Sequence, residues 1–319
     1  MSKTTKSPKA VAVVAYRVAR DTLPEHFSPY SPKKFTQPQL LVCLVLKTFF
    51  DTDYRGIVQI LDDCPSLCKV FELKTVPHFT TLQKASRRLL KAYNAQKILE
   101  RTVKIGLGKR KTVKLAAMDS TGLEARHISR YFVKRRSREP NLYQTTTYRR
   151  WPKLAIVCDC SNHLILSAIT IRGPSPDINQ FCKTLKPCVE EFRIKQLLAD
   201  AGYDSEANHT YAREVHQIKT TIPPKHGRPT TKLPKTKYRR EMRTDFDKET
   251  YGQRWQSETV FSMIKRNYTD SLSARSYWPQ CRDMILLVLT HNLGIILLVE
   301  RAFLQSTHDS FSPPGFSLP

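Results

Sequence analysis

Four residues, Tyr251, Arg254, Glu258 and Lys265, are separated by two, three and six intervening residues. On a helix turning about 100° per residue they fall within an arc of roughly 60°. Val260, Met263 and Ile264 fall on the far side. Such a helix presents a phenol, a carboxylate and two cations along one edge and buries the other. A carboxylate flanked by cations suits a site that holds a metal ion and grips phosphate. The same spacing also describes a surface helix with an Arg254–Glu258 pair one turn apart, worth about 0.3 kcal/mol.

Two further carboxylates decide between these readings. VKLAAMD ends at Asp119 and QLLAD ends at Asp200, each after a short apolar run that reads as a buried strand. Ligands collect at strand tips in open α/β sheets. Two carboxylates at adjacent tips repel, so one must take up a proton unless a cation sits between them. With Glu258 added, three carboxylates suit two hard divalent cations about 3.5–4 Å apart. An all-oxygen ligand set favours Mg²⁺, with Mn²⁺ as the alternative, over zinc. Such an ion pair activates a water or a 3′-hydroxyl for phosphodiester exchange.

The elements that must position these groups are legible in outline. Residues 1–110 read as helical, with QPQLLVCLVLKTFF (Gln37 to Phe50) opening on a first-turn proline. A helix capped by Thr80 or Thr81 is expected to run to about Leu99, carrying Lys84, Arg87, Arg88 and Lys91 beside Leu82, Leu89 and Leu90. That stripe suits either a small DNA-binding domain or a solvated face. From Thr112 the pattern becomes strand, two hairpin strands joined by CSNH, helix, strand, helix, strand, helix. Asp159 is expected at the hairpin turn, Asp177 as a helix N-cap with Gln180 completing a capping box, and Asp204 or Ser205 as a cap. This order predicts an α/β fold: a ribonuclease H-like mixed sheet flanked by helices, with an α-helical N-terminal domain. The expected division is 1–110 for DNA binding or dimerisation, 111–305 for catalysis, and a disordered Ser- and Pro-rich tail at 306–319.

Composition narrows the partner. The chain of 319 residues carries 53 Lys and Arg against 28 Asp and Glu, a net charge of +25. A charge excess of this size needs a polyanion to neutralise it, and nucleic acid is the usual one, a membrane surface being the competitor. The longest apolar run, Met284 to Val299, contains His291 and Asn292 and falls short of the ~18–20 residues of a span. It is expected to be a buried helix. Lys3, Lys6 and Lys9 precede AVAVVAY, but Arg17 and Arg20 follow at once, so a signal peptide is not expected. The eight cysteines repeat no zinc-knuckle spacing and are expected as free thiols, with Cys43, Cys158 and Cys182 in the core. Two basic stretches, Arg126 to Arg150 and Lys225 to Arg243, flank the site in sequence. They place Arg135, Arg136, Lys237, Arg239 and Arg240 where they would run along a DNA backbone. His127 and His291 read as structural or DNA-facing, and Trp255 either stacks on a base or packs in the core.

The chain resembles the DDE transposases of prokaryotic insertion sequences. The resemblance spans about Thr75 to His291. It rests on Tyr251, Arg254, Glu258 and Lys265 at that family's signature spacing, on DST at Asp119, on ADAGYDS around Asp200, and on KLAIVCD and PHFTTL. It implies metal-dependent strand cleavage at transposon ends followed by strand transfer into target DNA. Asp119 would bridge two Mg²⁺ ions, with Asp200 and Glu258 each holding one. Arg254 and Lys265 would hold phosphates, and Tyr251 would contact the terminal nucleotide. The resemblance also implies pairing of two terminal inverted repeats by a homodimer, and a cytoplasmic, nucleoid-associated protein that does not enter membranes. The competing reading is a non-catalytic DNA-binding protein derived from a transposase. Some relatives carry a β-rich insertion bearing a tryptophan between the second aspartate and the glutamate. This chain has no Trp between Asp200 and Tyr251, which leaves the cleavage pathway open.

Overall fold

A computed structural model of the chain describes residues 5–125, 152–173, 175–225 and 232–309. The N-terminal part consists of α1 (Pro8–Thr22), α2 (Gln37–Phe49), α3 (Tyr54–Asp63), α4 (Pro65–Cys68), α5 (Phe79–Leu89) and α6 (Ala92–Leu107). Helix α2 starts as expected with Pro38 in its first turn, and Thr36 and Gln39 add a reciprocal capping box. The helix expected to run to Leu99 is instead two. His78, not a threonine, caps α5 by accepting from the Thr80 N–H, and the chain breaks at Leu90 and Lys91 before α6.

The second part is built on β1 (Thr112–Gly122), β2 (Glu124–Ala125), β3 (Pro152–Asp159), β4 (Ile165–Arg172), β5 (Arg193–Ala199), β6 (Lys219–Thr221) and β7 (Ser271–Leu272). The main sheet has the order β4-β3-β1-β5-β6. β3 is antiparallel to β1 and β4, whereas β5 runs parallel to β1 and to β6. This is the ribonuclease H-like mixed sheet expected from the element order. Its helices are α7 (Phe181–Val189), α8 (Glu206–Thr210), α9 (Lys237–Thr244), α10 (Lys248–Gly252), α11 (Trp255–Asn267) and α12 (Tyr277–Asp309).

Alternation along the strands sends side chains to two cores. Ala117, Leu154, Ile156 and Cys158 join a core with α1, α2, α5, α11 and α12. Met118, Val157, Leu166 and Leu197 join a second core with Phe181 and Leu185 of α7. The N-terminal helices therefore share one continuous core with the sheet face that α12 covers.

Helix α12 contains the expected buried run and extends through Asp309; residues 310–319 lie outside the described residues. Its segment Tyr277–Ala302 is long and apolar enough to cross a membrane, and 72% of its most apolar window is buried inside the fold. The two polar residues that interrupt this run tie it to the hairpin. His291 meets the His163 carbonyl at 2.9 Å, and burial pushes its pKa down to about 4, so it is a neutral structural residue. Asn292 is fully buried, accepts from the Ile165 N–H at 2.9 Å, and donates to the Ile165 carbonyl and the Thr102 hydroxyl. Asn292→Ala leaves the N–H and C=O of Ile165 unsatisfied in the core. It should destabilise the protein by about 2–4 kcal/mol, read as a lower midpoint in urea at unchanged slope.

The stretch expected as an exposed loop, Pro223 to Arg243, forms helix α9 over its last part. Tyr238 and Met242, one turn apart, are buried. The N–H groups of Tyr238 and Arg239 donate to the Glu206 carboxylate at 3.0 and 3.1 Å. A cap supplied from some thirty residues upstream has no local signature in the sequence.

Candidate active site

Register brings the first two carboxylates together. The parallel pairing of β1 with β5 ends at Met118 opposite Ala199, so Asp119 and Asp200 are the next residues on adjacent strands. Asp119 is not at its strand's tip, as expected, but three residues before it, because its pairing with β3 continues through Ile156 to Gly122 opposite Lys153. Asp200 does follow the end of β5, where its side chain caps a short 3-10 turn (Ala201–Tyr203) by accepting from the Gly202 N–H at 2.8 Å. A Cβ at Gly202 would lie 2.9 Å from that same carboxylate oxygen, so glycine leaves Asp200 its place.

The Tyr251–Lys265 signature does not lie on one helix. Tyr251 belongs to α10, Arg254 lies in the turn, and Glu258 and Lys265 belong to α11. The junction follows Gly252, a weak helix former. The Arg254 N–H bonds to the Tyr251 carbonyl and the Ser257 N–H to the Arg254 carbonyl, so the turn stays tight and the residues keep a common edge. Val260, Met263 and Ile264 are buried on the other side, as expected.

Arg254 is the centre of this edge. One guanidinium nitrogen lies 3.4 Å from Asp119 Oδ2, and the other donates to Glu258 Oε1. Ser257 Oγ lies 3.3 Å from the same Asp119 oxygen, while the Ser120 N–H donates to Asp119 Oδ1 at 2.7 Å. Lys265 Nζ reaches Thr121 Oγ1 at 3.0 Å. The Tyr251 ring packs edge-on against Phe246, with centroids 5.0 Å apart. Burial raises the pKa of Tyr251, Arg254 opposes the shift, and Asp200 and Asp119 reinforce it. Arg254 therefore meets Asp119 directly, Tyr251 lies within electrostatic reach of both aspartates, Glu258 is tied to Asp119 through Arg254, and Lys265 meets β1 at Thr121.

The carboxylates differ in setting. Burial pushes Asp119 above the usual carboxylate range; the Ser120 N–H and Arg254 pull it back, and the Asp200 charge adds to the rise. Glu258 is exposed, its side chain 58% accessible, and is committed to Arg254. Among the described residues no three acidic, histidine or cysteine side chains are close enough to hold one ion. The fold thus sets Asp119 beside Asp200 and puts a guanidinium between Asp119 and Glu258. The donor chemistry fits a hard cation: oxygen ligands only, with one half-buried carboxylate whose charge is opposed by its partial burial and by a neighbouring carboxylate. Glu258 would join by exchanging Arg254 for the ion.

Three residues at the site were missed or misread in the sequence. Asp177 is not an N-cap; its Oδ1 accepts from Ser120 Oγ at 2.7 Å and from Lys153 Nζ at 2.5 Å. Tyr203, fully buried, has its pKa pushed far up by burial and by Asp177, with Ser120 beside its hydroxyl. Ser120 thus holds Asp119 through its N–H and is itself held by the Asp177–Lys153 pair. Only the juxtaposition of Ser120 with Asp119 was visible in the sequence; the Lys153 partnership depends on strand register.

The remaining expectations fall as follows. Asp204 does not cap α8, which Ser205 does. Asp204 is buried and accepts from the Lys225 N–H at 2.7 Å and from Arg239 Nε at 2.9 Å, with His209 Nε2 at 3.7 Å. Arg239, expected on DNA, is therefore a structural partner of Asp204 and of the Lys225 carbonyl. Lys237 and Arg240 on the same helix are exposed. Arg135, Arg136 and His127 lie outside the described residues. Asp159 is a turn residue as expected, accepting from the Ser161 N–H and hydroxyl. Trp255 is 52% exposed, which removes it from the core. All eight cysteines are free, with Cys43 and Cys158 buried and Cys182 half-buried.

The family model described as "Transposase DDE domain" matches residues 113–293, more than half of the chain, and this range contains Asp119, Asp200 and Glu258. No curated protein matches the chain. Among solved structures, the piggyBac transposase synaptic complex with hairpin DNA aligns over 95% of this chain and 74% of its own, at 12% identity and a TM-score of 0.47. The Mos1 mariner paired end complex with Mn aligns over 91% and 85%, at 11% identity and a TM-score of 0.22. Both scores are below 0.5, so the fold rests on the strand order and the family match.

Proposed function

The chain belongs to the DDE transposase family, and from that premise we propose that it is an active transposase of a prokaryotic insertion sequence. It cuts DNA at the terminal inverted repeats of its element and joins the freed 3′ ends to target DNA. The observation that carries this reading is the Arg254 guanidinium spanning Asp119 and Glu258 beside Asp200. A non-catalytic binder has no need to keep a half-buried carboxylate beside a second one.

In this reading Asp119, Asp200 and Glu258 would hold two Mg²⁺ ions, or Mn²⁺, which would supply an activated nucleophile and stabilise the leaving oxygen. Arg254, released from the carboxylates, and Lys265 of α11, which reaches Thr121 near the end of β1, take the phosphates on either side of the scissile bond. Tyr251 packs against the terminal nucleotide. Lys237 and Arg240 of α9, with Arg135 and Arg136, contact the backbone outside the site and set its position, not its sequence. Two copies pair two ends on DNA in the cytoplasm. The helices up to residue 110 recognise the element's ends.

Ser120 and Asp177 orient Asp119. Asp177→Ala should lower cleavage by about 10- to 100-fold while leaving DNA affinity unchanged, measured by single-turnover nicking alongside a binding titration. The reading as a whole is tested with the purified chain, Mg²⁺, and a plasmid carrying the DNA that flanks the gene. Strand breaks mapping to the boundaries of inverted repeats are expected. Absence of breaks with either metal, or breaks scattered without regard to those boundaries, would contradict it.

A further inference from the structure

At the open edge of the sheet, away from the carboxylates, β4 borders a groove of about 880 Å³ between α6, α7 and α12. Its floor is apolar, including Leu99, Ala168, Ile285 and Leu289. Two aromatic rings on its walls are mostly exposed, Tyr93 at 69% and Trp278 at 68%. Its rim carries Arg87, Lys91, Lys183, Lys186 and Arg282. The one carboxylate in the lining, Glu190, is paired with Lys186. Large exposed rings beside a basic rim are unusual on a surface with nothing to bind.

The groove is aligned with the active site. Asp119 pairs with Ile156, which pairs with Ala168; Ser120 pairs with Ala155, and that with Ile169; Thr121 pairs with Leu154, and that with Thr170. Ala168, Ile169 and Thr170 are the β4 residues of the groove. They stand level with the DST segment and two strand spacings away, about 10 Å. The edge of the aromatic wall is stiffened: Tyr277 packs edge-on against Trp278 at 5.3 Å, and the Arg172 guanidinium lies 4.3 Å over the Tyr277 ring.

We propose that this groove binds single-stranded DNA, its apolar floor and the Tyr93 and Trp278 rings taking bases while Arg87, Lys91, Lys183 and Arg282 follow the backbone. Stacking rings with a cationic track suit an unpaired strand, since a duplex keeps its base faces hidden. The charge sign excludes a basic partner. A strand opened at the active site has this basic, aromatic groove two strand spacings away, across the β4 edge. The proposal rests on the DNA-cutting reading for its ligand but not for its geometry.

The test uses the full chain, a labelled fifteen-nucleotide oligo(dT) and a labelled thirty-base-pair duplex, both titrated at fixed salt. The Tyr93→Ala/Trp278→Ala double variant should bind the oligonucleotide about tenfold or more weakly, with duplex affinity within about twofold of wild type. Tyr93→Phe/Trp278→Phe keeps the rings and should restore oligonucleotide binding. Arg87→Gln/Lys91→Gln should reduce the slope of log affinity against log salt by about 1.4 for the oligonucleotide, at ~0.7 per lost phosphate contact. Unchanged oligonucleotide affinity in the alanine variant overturns the proposal and leaves the groove to an acidic protein partner. Equal losses for oligonucleotide and duplex, or loss that the phenylalanine variant does not restore, also overturn it. If the wild-type chain binds duplex but not the oligonucleotide, the groove assignment alone fails. If it binds neither, the DNA-cutting reading fails with it.

Discussion

Asp119→Asn should abolish strand cleavage, by roughly a thousandfold or more, while DNA binding stays within about twofold. The amide keeps the shape of the carboxylate and can still accept from the Ser120 N–H, but it brings no charge to a cation and is a poor ligand for one. The same substitution should make the fold more stable at neutral pH. Burial and the Asp200 charge raise the Asp119 pKa in the folded chain, so folding disfavours its ionised form. Below the unfolded pKa the carboxyl is protonated in both states and no penalty exists. The penalty grows as pH rises through the unfolded and then the folded value, and it is complete above the latter. The asparagine variant should therefore melt at a higher temperature than wild type at pH 7, with the gap closing toward pH 3. Stability gained together with activity lost marks a group kept for function. A variant that cuts as wild type, or one that melts lower at neutral pH, would remove Asp119 from the site.

Asp204→Ala is expected to have the largest effect on the fold, about 3 kcal/mol, or roughly a hundredfold in the folding equilibrium. It leaves the Arg239 guanidinium and the Lys225 N–H facing a void where a fully buried carboxylate had held both. Burial alone would raise the pKa of Asp204. His209 at 3.7 Å, together with the hydrogen bonds from Arg239 and the Lys225 N–H, outweighs it and holds the carboxyl below the usual range. Its contribution is present above the unfolded carboxylate pKa and is lost as pH falls through the lower folded value. The difference between wild type and variant should be full at neutral pH and shrink in acid, as followed by urea unfolding at several pH values. Because Asp204 ties α9 to the segment after Asp200, the variant should also bind DNA less tightly, through Lys237 and Arg240 on the loosened helix.

What was legible in the sequence was whatever repeats locally. The strands ending near Asp119 and Asp200, the first-turn proline of α2, and the buried face of Val260, Met263 and Ile264 all follow from patterns a few residues long. The strand order followed from the order of elements. What was not legible depends on partners far apart in the chain. Helix α9 is capped by Glu206, Arg239 is taken by Asp204, and Asp177 is taken by Ser120 and Lys153. A proximal basic residue reads as a free cation until its buried partner is known, and this is why Arg239 was placed on DNA. The helix carrying the signature is broken because Gly252 and the tight turn after it cost little, while the register of Tyr251 and Arg254 toward the aspartates is kept.

The central claim is that Asp119, Asp200 and Glu258 share a pair of divalent ions once Arg254 lets Glu258 go. Its most direct test is electron paramagnetic resonance of Mn²⁺ titrated into the full chain bound to a duplex with a 3′ end. The wild-type chain should take up two ions per site, with the spectrum of a coupled pair about 4 Å apart, and Glu258→Gln should retain no more than one. A wild-type chain that binds no Mn²⁺ above the level of DNA alone, or a Glu258→Gln chain that keeps the coupled pair at wild-type affinity, would contradict it.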